Sequence, residues 1–296
     1  MVSEVVESSD LFIFAGPIFN DYTTTGWTAL IAASKLINIQ ADHVVVCGSR
    51  YNNVLMPDLL LALAEKVPAK PIALQTYQRL MADYSPPPSS PPEDVNAPLS
   101  LHEIRRQVQD QLTPETELVI ETGDSWFIGQ GFKIPDGLKY HVQMQYGSIG
   151  WSVGAVLGAA LGAQESGRKV LALIGDGSFQ LTCQEISTII RQGVKATIIL
   201  LNNDGYTIEV EIHDGPYNDI QGWDYAKLIE VFNGRDGNGV GVKARTSQEL
   251  TDALAAADSH DGLTFIECFL SRDDCTKELL LWGSHVATAN GRGPST

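Results

Sequence analysis

Two apolar runs of the sequence end in polar residues whose types are suited to chemistry. The run 169–174 ends at Gly-Asp-Gly, residues 175–177, and the run 196–201 ends at Asn-Asn-Asp-Gly, residues 202–205. In a parallel α/β sheet, ligands bind at the carboxyl ends of the strands, so we expect both segments at one edge. Glycines let the backbone approach a ligand closely, and free N–H groups at a helix start bind phosphate. These segments therefore predict a site for a phosphate-bearing ligand.

Asp176 and Asn203 are the candidate metal ligands at this edge. Carboxylate and amide oxygens suit Mg²⁺. A predicted helix and a return strand separate the two residues, so both side chains can reach one ion. Both could instead be turn or cap residues, because Gly-Asp-Gly is also ordinary turn chemistry. Polar residues at the ends of two successive strands favour the metal site.

Strands and helices alternate along the chain, which predicts an α/β fold with a parallel sheet. From residue 99 onward, the predicted strands are 117–121, 169–174, 196–201 and 263–269, and the predicted helices are 101–112, 153–164, 180–191 and 275–289. Residues 206–212 alternate in polarity, which in an extended segment places Glu209 and Glu211 on the same face. Periodicity alone therefore interprets both glutamates as solvated.

A proline-rich segment, residues 84–98, divides the chain. Proline cannot donate to a helix or a sheet ladder, so we interpret this segment as an extended linker rather than a ligand for a proline-binding module. Residues 1–83 are few for a doubly wound domain, and part of a sheet is expected there. The predicted strands of this part are 11–15, 44–47 and 71–74, and its predicted helices are 28–36 and 56–67.

Composition excludes several classes of partner. The chain has 296 residues, 44% of them hydrophobic, and a net charge of −16, which indicates a globular protein without general attraction for nucleic acid or anionic membranes. Its longest apolar stretch, 153–163, is shorter than the roughly 20 residues that span a bilayer. The four cysteines form no C-x-x-C pair, and the N-terminus does not resemble a signal peptide. We expect reduced thiols and a cytoplasmic protein.

The polar segments resemble the cofactor-binding motif of thiamine diphosphate-dependent enzymes. Gly-Asp-Gly at a strand end, followed one strand later by Asn-Asn, is similar to that motif. The stretch NNDGYTIEVEIHDGPYNDIQGWDYAKLIEVF resembles the pyruvate decarboxylases in particular, as do ETGDSWF, QYGSIGWS and GPIFNDYTTTGW. The resemblance covers nearly the whole chain, and TIEVEIHDGPYN disfavours a relative of acetolactate synthase.

The resemblance implies a role for each matching residue. Mg²⁺ is bound by the side chains of Asp176 and Asn203 and by the Gly205 carbonyl. Glu209 handles protons beside the reacting carbon, and only the resemblance favours it over Glu211. The residues implied to bind thiamine diphosphate are Thr122, Gly147, Ile149, Gly175, Gly177 and Ser178, and those implied to narrow the substrate pocket are Trp126, Ile208 and Tyr22. By itself, Trp126 would be interpreted as a core residue.

The resemblance also implies a reaction, the non-oxidative decarboxylation of a 2-oxo acid. Bulky Trp126 and Ile208 favour pyruvate, which gives acetaldehyde and CO₂. The family forms homo-oligomers, dimers or tetramers, with active sites between subunits. Its pyrimidine-binding domain has a glutamate and two adjacent histidines, and this sequence has no His-His pair.

We therefore expect three regions. These are part of a Rossmann-like middle domain over 1–83, a linker over 84–98, and the domain that binds the diphosphate and Mg²⁺ over 99–296. The alternative is a catalytically incomplete fragment that binds cofactor or serves interaction.

Overall fold

The computed structural model describes residues 2–83 and 90–291. The chain divides into two compact units, residues 1–88 and 89–296, and this division falls within the proline-rich segment. The predicted linker lies partly outside the described residues, because 84–89 are not among them. Its C-terminal end is bound to the second unit, since Gln248 N donates to Val95 O at 3.0 Å and Leu99 N to Arg245 O at 2.7 Å.

The first unit contains a four-stranded mixed sheet. Its described elements are α1 (Val2–Glu7), β1 (Phe12–Ala15), β2 (Leu36–Ile39), β3 (His43–Val46), β4 (Ser49–Asn52), α2 (Met56–Lys66) and α3 (Pro71–Asp83). The strand order is β1-β2-β3-β4. β1 and β2 are parallel, whereas β3 is antiparallel to both β2 and β4. The parallel layer predicted for this part is therefore found only between β1 and β2.

Two predicted elements of the first unit are wrong. Residues 28–36, predicted as a helix, hold only a short 3₁₀ helix, Ala33–Lys35, before β2 begins. Residues 71–74, predicted as a strand, begin α3. Short apolar runs do not distinguish strand from helix by periodicity. Pro71 was the better signal, because its fixed φ suits the first position of a helix.

The second unit is built around a larger sheet. Its described strands are β5 (Thr116–Ile120), β6 (Lys139–Val142), β7 (Lys169–Gly175), β8 (Ala196–Asn202), β9 (Val240–Ala244) and β10 (Leu263–Phe269). Its described helices are α4 (Leu101–Gln111), α5 (Asp124–Gln130), α6 (Trp151–Ala163), α7 (Asp176–Thr182), α8 (Glu185–Arg191), α9 (Thr207–Ile212), α10 (Tyr225–Asn233), α11 (Ser247–Ser259) and α12 (Lys277–Ala289). The helix predicted over 180–191 is thus two helices, of which α7 begins directly after β7.

All six strands of this sheet are parallel, in the order β6-β5-β7-β8-β10-β9. The whole of β8 and the middle of β7 are buried, as continuous apolar runs in a parallel sheet predict. The predicted α/β class with a parallel sheet is confirmed. The chain moves from β5 outward to β6, then returns to the other side of β5 for β7. The strand order therefore reverses between β5 and β7, where doubly wound folds bind ligands.

A buried polar cluster joins α4 to α11. Glu103 is 5% exposed and accepts hydrogen bonds from Arg106 Nε at 2.8 Å and Arg106 Nη2 at 2.7 Å. It also accepts from Gln107 Nε2 at 2.7 Å and Ser247 Oγ at 2.5 Å. Burial alone would raise the pKa of Glu103, but these four bonds outweigh burial and lower the pKa to about 2. The cluster links α4 to α11, which packs against β9 and β10.

Membrane-crossing helices are not found in residues 2–83 and 90–291. The longest described helices have 13 residues, and crossing a bilayer takes about 20. All four cysteines are free thiols.

Candidate active site

A cavity lies at the carboxyl ends of β5, β7 and β8, where the strand order of the large sheet reverses. It is lined by Thr122, Gly123, Asp124, Ile149, Gly175, Asp176, Gly177, Ser178, Leu201, Asn203, Gly205, Tyr206, Thr207, Ile208 and Glu209. The structure thus brings together every predicted site residue except Gly147, Trp126 and Tyr22. Because the strands are parallel, residues far apart in sequence meet at this one edge.

The three exceptions lie elsewhere. Gly147 is in the turn before α6, with φ +59°, and its N–H donates to Met144 O at 3.3 Å. Trp126 lies in α5, is 2% exposed and is not among the residues that line this cavity. Tyr22 lies in the first unit, after β1. The predicted roles of Gly147, Trp126 and Tyr22 stay predictions.

Asp176 has an unsatisfied carboxylate oxygen. It is the first residue of α7, directly after β7, and is 1% exposed. Its Oδ1 accepts from Gly177 N at 2.8 Å, whereas Oδ2 is buried without a hydrogen-bond partner among the described residues. Burial, assisted by the nearby charge of Asp204, raises the pKa of Asp176 to about 7, and outweighs the lowering effect of the nearby backbone N–H groups of Gly177, Asp204 and Gly205. Since a buried acceptor without a partner is costly, this oxygen fits the predicted role of a cation ligand.

Asn203 is oriented by two neighbours. Its amide nitrogen donates to Asp124 Oδ2 at 3.2 Å and to Thr207 Oγ1 at 2.8 Å. Both amide hydrogens are therefore directed at protein acceptors, so the side-chain oxygen points away from Asp124 and Thr207. In metal sites, hydrogen bonds from residues that do not bind the metal orient the side chains that do. The residue is 5% exposed, and its arrangement fits the predicted ligation of Mg²⁺.

Asp124 is a cavity residue that sequence reasoning missed. It is the first residue of α5, and its Oδ1 is buried without a hydrogen-bond partner in the described part of the chain. Burial raises its pKa to about 7, and the charges of Asp274, Asp176 and Glu211 add to this effect. The available signal was an acidic residue just beyond the end of a predicted strand.

The predicted metal site does not depend on a cluster of ionisable side chains. Within residues 2–83 and 90–291, there is no group of three or more His, Cys, Asp or Glu side chains that could hold a metal ion. The predicted ligands instead combine a carboxylate, an amide and the main-chain carbonyl of Gly205. Gly205 has φ +154°, and an added Cβ atom would lie 2.9 Å from Asn218 O. Only glycine therefore fits this position of the loop.

Gly177 packs directly against the aromatic ring of Tyr206. An added Cβ atom at Gly177 would overlap with Tyr206 Cε1 and lie 2.8 Å from Cδ1. We expect Gly177→Ala to displace Tyr206 and to lower the free energy of unfolding by about 1–3 kcal/mol, the usual cost of overpacking. Urea denaturation measures this loss.

Gly175→Ala is the matched control for this prediction. It makes the same change two residues earlier, where, apart from Gly175 and its two chain neighbours, no described residue has an atom within 4 Å of an added Cβ atom. Its free energy of unfolding should stay within about 0.5 kcal/mol of the wild type. Equal losses of unfolding free energy in the two variants would show that overlap with Tyr206 is not the cause of the destabilisation.

Glu209 lies in a helix, which corrects the extended segment predicted over 206–212. The segment forms α9, in which Ile208 and Ile212, four residues apart, are both buried. In a helix, residues two apart face nearly opposite directions, so Glu209 and Glu211 are separated. Glu209 lines the cavity, whereas Glu211 lies against α12, since an added Cβ atom at Gly283 would lie 3.0 Å from Glu211 Cβ. Glu209 is exposed in this structure.

Comparisons with known proteins agree with this architecture. Residues 121–268 match the family model of the thiamine pyrophosphate enzyme, C-terminal TPP binding domain. The solved structure of benzoylformate decarboxylase from Polynucleobacter necessarius has a TM-score of 0.65 and 22% identity, over 92% of this chain and 51% of that chain. At this identity, the likeness shows a shared fold.

Curated relatives are closer in sequence. Pyruvate decarboxylase of Neurospora crassa is 47% identical over 291 residues, which are 98% of this chain and 50% of that protein. Pyruvate decarboxylase 2 of Pisum sativum is 45% identical over 296 residues, which are 99% of this chain and 72% of that protein. The chain spans about half the length of most of the curated relatives it matches, and aligns with their C-terminal half. It belongs to the pyruvate decarboxylase family of thiamine diphosphate-dependent enzymes.

Proposed function

We propose that this chain supplies the part of a decarboxylase active site that binds the diphosphate and Mg²⁺ of thiamine diphosphate. The substrate we propose is pyruvate, which gives acetaldehyde and CO₂. The observation that supports this most is the buried, unsatisfied Oδ2 of Asp176 beside Asn203, at the strand ends of a glycine-lined cavity. The choice of pyruvate rests on the names of the curated relatives.

Several cavity residues have a proposed task. When bound, thiamine diphosphate supplies the electron sink that lets a 2-oxo acid lose CO₂. Asp176, Asn203 and the Gly205 carbonyl would hold Mg²⁺, and Gly177 and Ser178 would hold the diphosphate. An acidic chain can thus bind a polyanion locally, because a cation and main-chain N–H groups neutralise it.

The proposed catalytic residue is Glu209, which would hold and transfer a proton at the mouth of the cavity. Ile208, only 9% exposed, and the half-buried Ile149 would form apolar walls beside it. Because Glu209 is exposed here, only bound substrate or a second subunit could shield its carboxyl from water. This need favours the proposed homo-oligomer, a dimer or tetramer with shared active sites.

A titration of this chain tests the proposal. Isothermal titration calorimetry should show binding of thiamine diphosphate with Mg²⁺ and none with the metal removed by EDTA. Adding pyruvate and following acetaldehyde with coupled alcohol dehydrogenase should show no more than trace turnover, because Glu209 is exposed to water in this chain. Metal-dependent binding without turnover would favour a cofactor-binding role for the chain by itself. Absence of metal-dependent binding would contradict the proposal.

A further inference from the structure

Glu121 is a fully buried carboxylate that has no task in the proposed function. It follows the last residue of β5 and is 0% exposed. Its Oε1 accepts from Thr122 N at 2.7 Å. Its Oε2 accepts from Gly150 N at 3.1 Å, Ser152 N at 3.3 Å and Ser152 Oγ at 2.5 Å. All four partners are donors, so the position suits a group with two acceptor oxygens, which a carboxylate provides.

These hydrogen bonds connect β5 to the segment that carries Ile149. Thr122 Oγ1 donates to Ser148 O at 3.1 Å, so the residue before Ile149 is attached to the same strand end. Gly150, the residue after Ile149, is held by Glu121 on one side and by Thr182 Oγ1, which donates to Gly150 O at 2.6 Å, on the other. Ile149, which lines the cavity, is therefore flanked by two anchored residues.

We propose that Glu121 is a positioning residue, which holds residues 148–152 against β5 and thereby places Ile149 in the cavity. The diphosphate and metal end of the cavity is formed by other residues, at the ends of β7 and β8. Glu121 should therefore matter for the organic part of the ligand and not for its diphosphate. The identity of that ligand rests on the proposed function, whereas the anchoring concerns only this chain.

The test variant is Glu121→Gln, and the matched control is Glu117→Gln. Glutamine replaces one of the two carboxylate oxygens with an NH₂ group, which cannot accept a hydrogen bond. The donors that pointed at the replaced oxygen therefore lose their acceptor. Glu117 lies in β5 and is 3% exposed, but its partners are Lys139 at 2.6 Å, His141 at 3.2 Å and Arg168 Nε at 3.4 Å. The control therefore makes the same chemical change in another buried residue of this region, whose partners lie outside residues 148–152.

Hydrogen exchange of the ligand-free chain tests the anchoring. In Glu121→Gln, the amides of Gly150 and Ser152 should exchange at least about tenfold faster, because these buried N–H groups lose their acceptor. In Glu117→Gln, they should keep the wild-type rate. If Glu121→Gln does not fold, Ser152→Ala removes only the hydroxyl contact and should accelerate the same amides. Unchanged exchange at these amides would overturn the proposal.

Calorimetry with two ligands separates positioning from a general structural role. In the presence of Mg²⁺, Glu121→Gln should bind thiamine diphosphate about tenfold more weakly, yet bind inorganic diphosphate within about twofold of the wild type. An equal loss for both ligands, or the same loss in Glu117→Gln, would overturn the positioning role. If the wild-type chain binds neither ligand, the proposed function fails, and the exchange of Gly150 and Ser152 still decides whether Glu121 anchors the segment.

Discussion

Replacing Asp176 with alanine should abolish the Mg²⁺-dependent binding of thiamine diphosphate to this chain. Asp176 is the one predicted metal ligand with a carboxylate, and its Oδ2 has no protein partner in the described part of the chain. Loss of an outer-shell partner typically costs about 10–100-fold in metal affinity, and loss of the carboxylate ligand should exceed that. Calorimetric titration with and without Mg²⁺ measures the effect.

A second variant, Asp176→Asn, separates loss of the carboxylate ligand from loss of structure, because its fold should survive. A buried carboxyl with a pKa raised to about 7 contributes nothing favourable to the ligand-free protein at neutral pH. Asp176→Asn should therefore unfold at the wild-type urea concentration or above it.

Asp204→Asn serves as the control variant. Asp204 is exposed in the adjacent loop and has φ +57°, which asparagine tolerates. Its loss should change binding by less than about 1 kcal/mol. Unchanged Mg²⁺-dependent binding in Asp176→Ala would contradict the metal assignment.

Glu103→Gln should destabilise the second unit by about 3 kcal/mol at pH 7, since it breaks a buried ion pair with Arg106 and leaves donors of three residues without their carboxylate. The effect should depend on pH. The pKa of Glu103 is about 2 in the folded protein, against an ordinary value of 4.5. The native state thus binds its proton less tightly than the unfolded state does. The stabilisation is complete above pH 4.5 and is lost as pH falls toward 2.

The difference between wild type and Glu103→Gln should therefore shrink between pH 4.5 and 2. Urea denaturation followed by tryptophan fluorescence measures it, because Trp126 and Trp282 are buried in this unit. Asp110→Asn is the matched control, since Asp110 contacts the same Arg106 at 3.1 Å but is 66% exposed. That exposed pair should contribute less than about 1 kcal/mol. A pH-independent difference for Glu103→Gln would rule out the ion pair as its cause.

The predicted metal end of the candidate site was accessible to sequence reasoning because it depends on strand ends. The runs before Asp176 and Asn203 are continuously apolar, and such runs form buried parallel strands whether or not their neighbours are known. Once both strands are parallel and adjacent, as β7 and β8 are, their carboxyl ends meet at one edge. Their roles as ligands stay predictions that the arrangement supports.

The secondary structure of short amphipathic segments could not be predicted from the sequence in the same way. Residues 206–212 fit a strand and a helix equally well, since Ile208 and Ile212 lie on one face at a period of 2 and nearly so at a period of 3.6. The structure forms α9 there, and this choice places Glu209 in the cavity and turns Glu211 toward α12. Before the fold was known, only a family resemblance distinguished the two glutamates.

By itself, the sequence determined the α/β class, the parallel sheet, the family and the strand ends that form the cavity. These features depend on the pattern of apolar and polar residues within short segments of about five to ten residues, so the local sequence encodes them. Only the tertiary structure decided which side chains enter the cavity. Trp126 is in the core, Asp124 and Asn203 meet across 79 positions of sequence, and Glu121 reaches Ser152 across 31. These contacts join segments that are distant in sequence. A pattern of neighbouring residues does not encode them, because the direction of each side chain depends on how the segments pack.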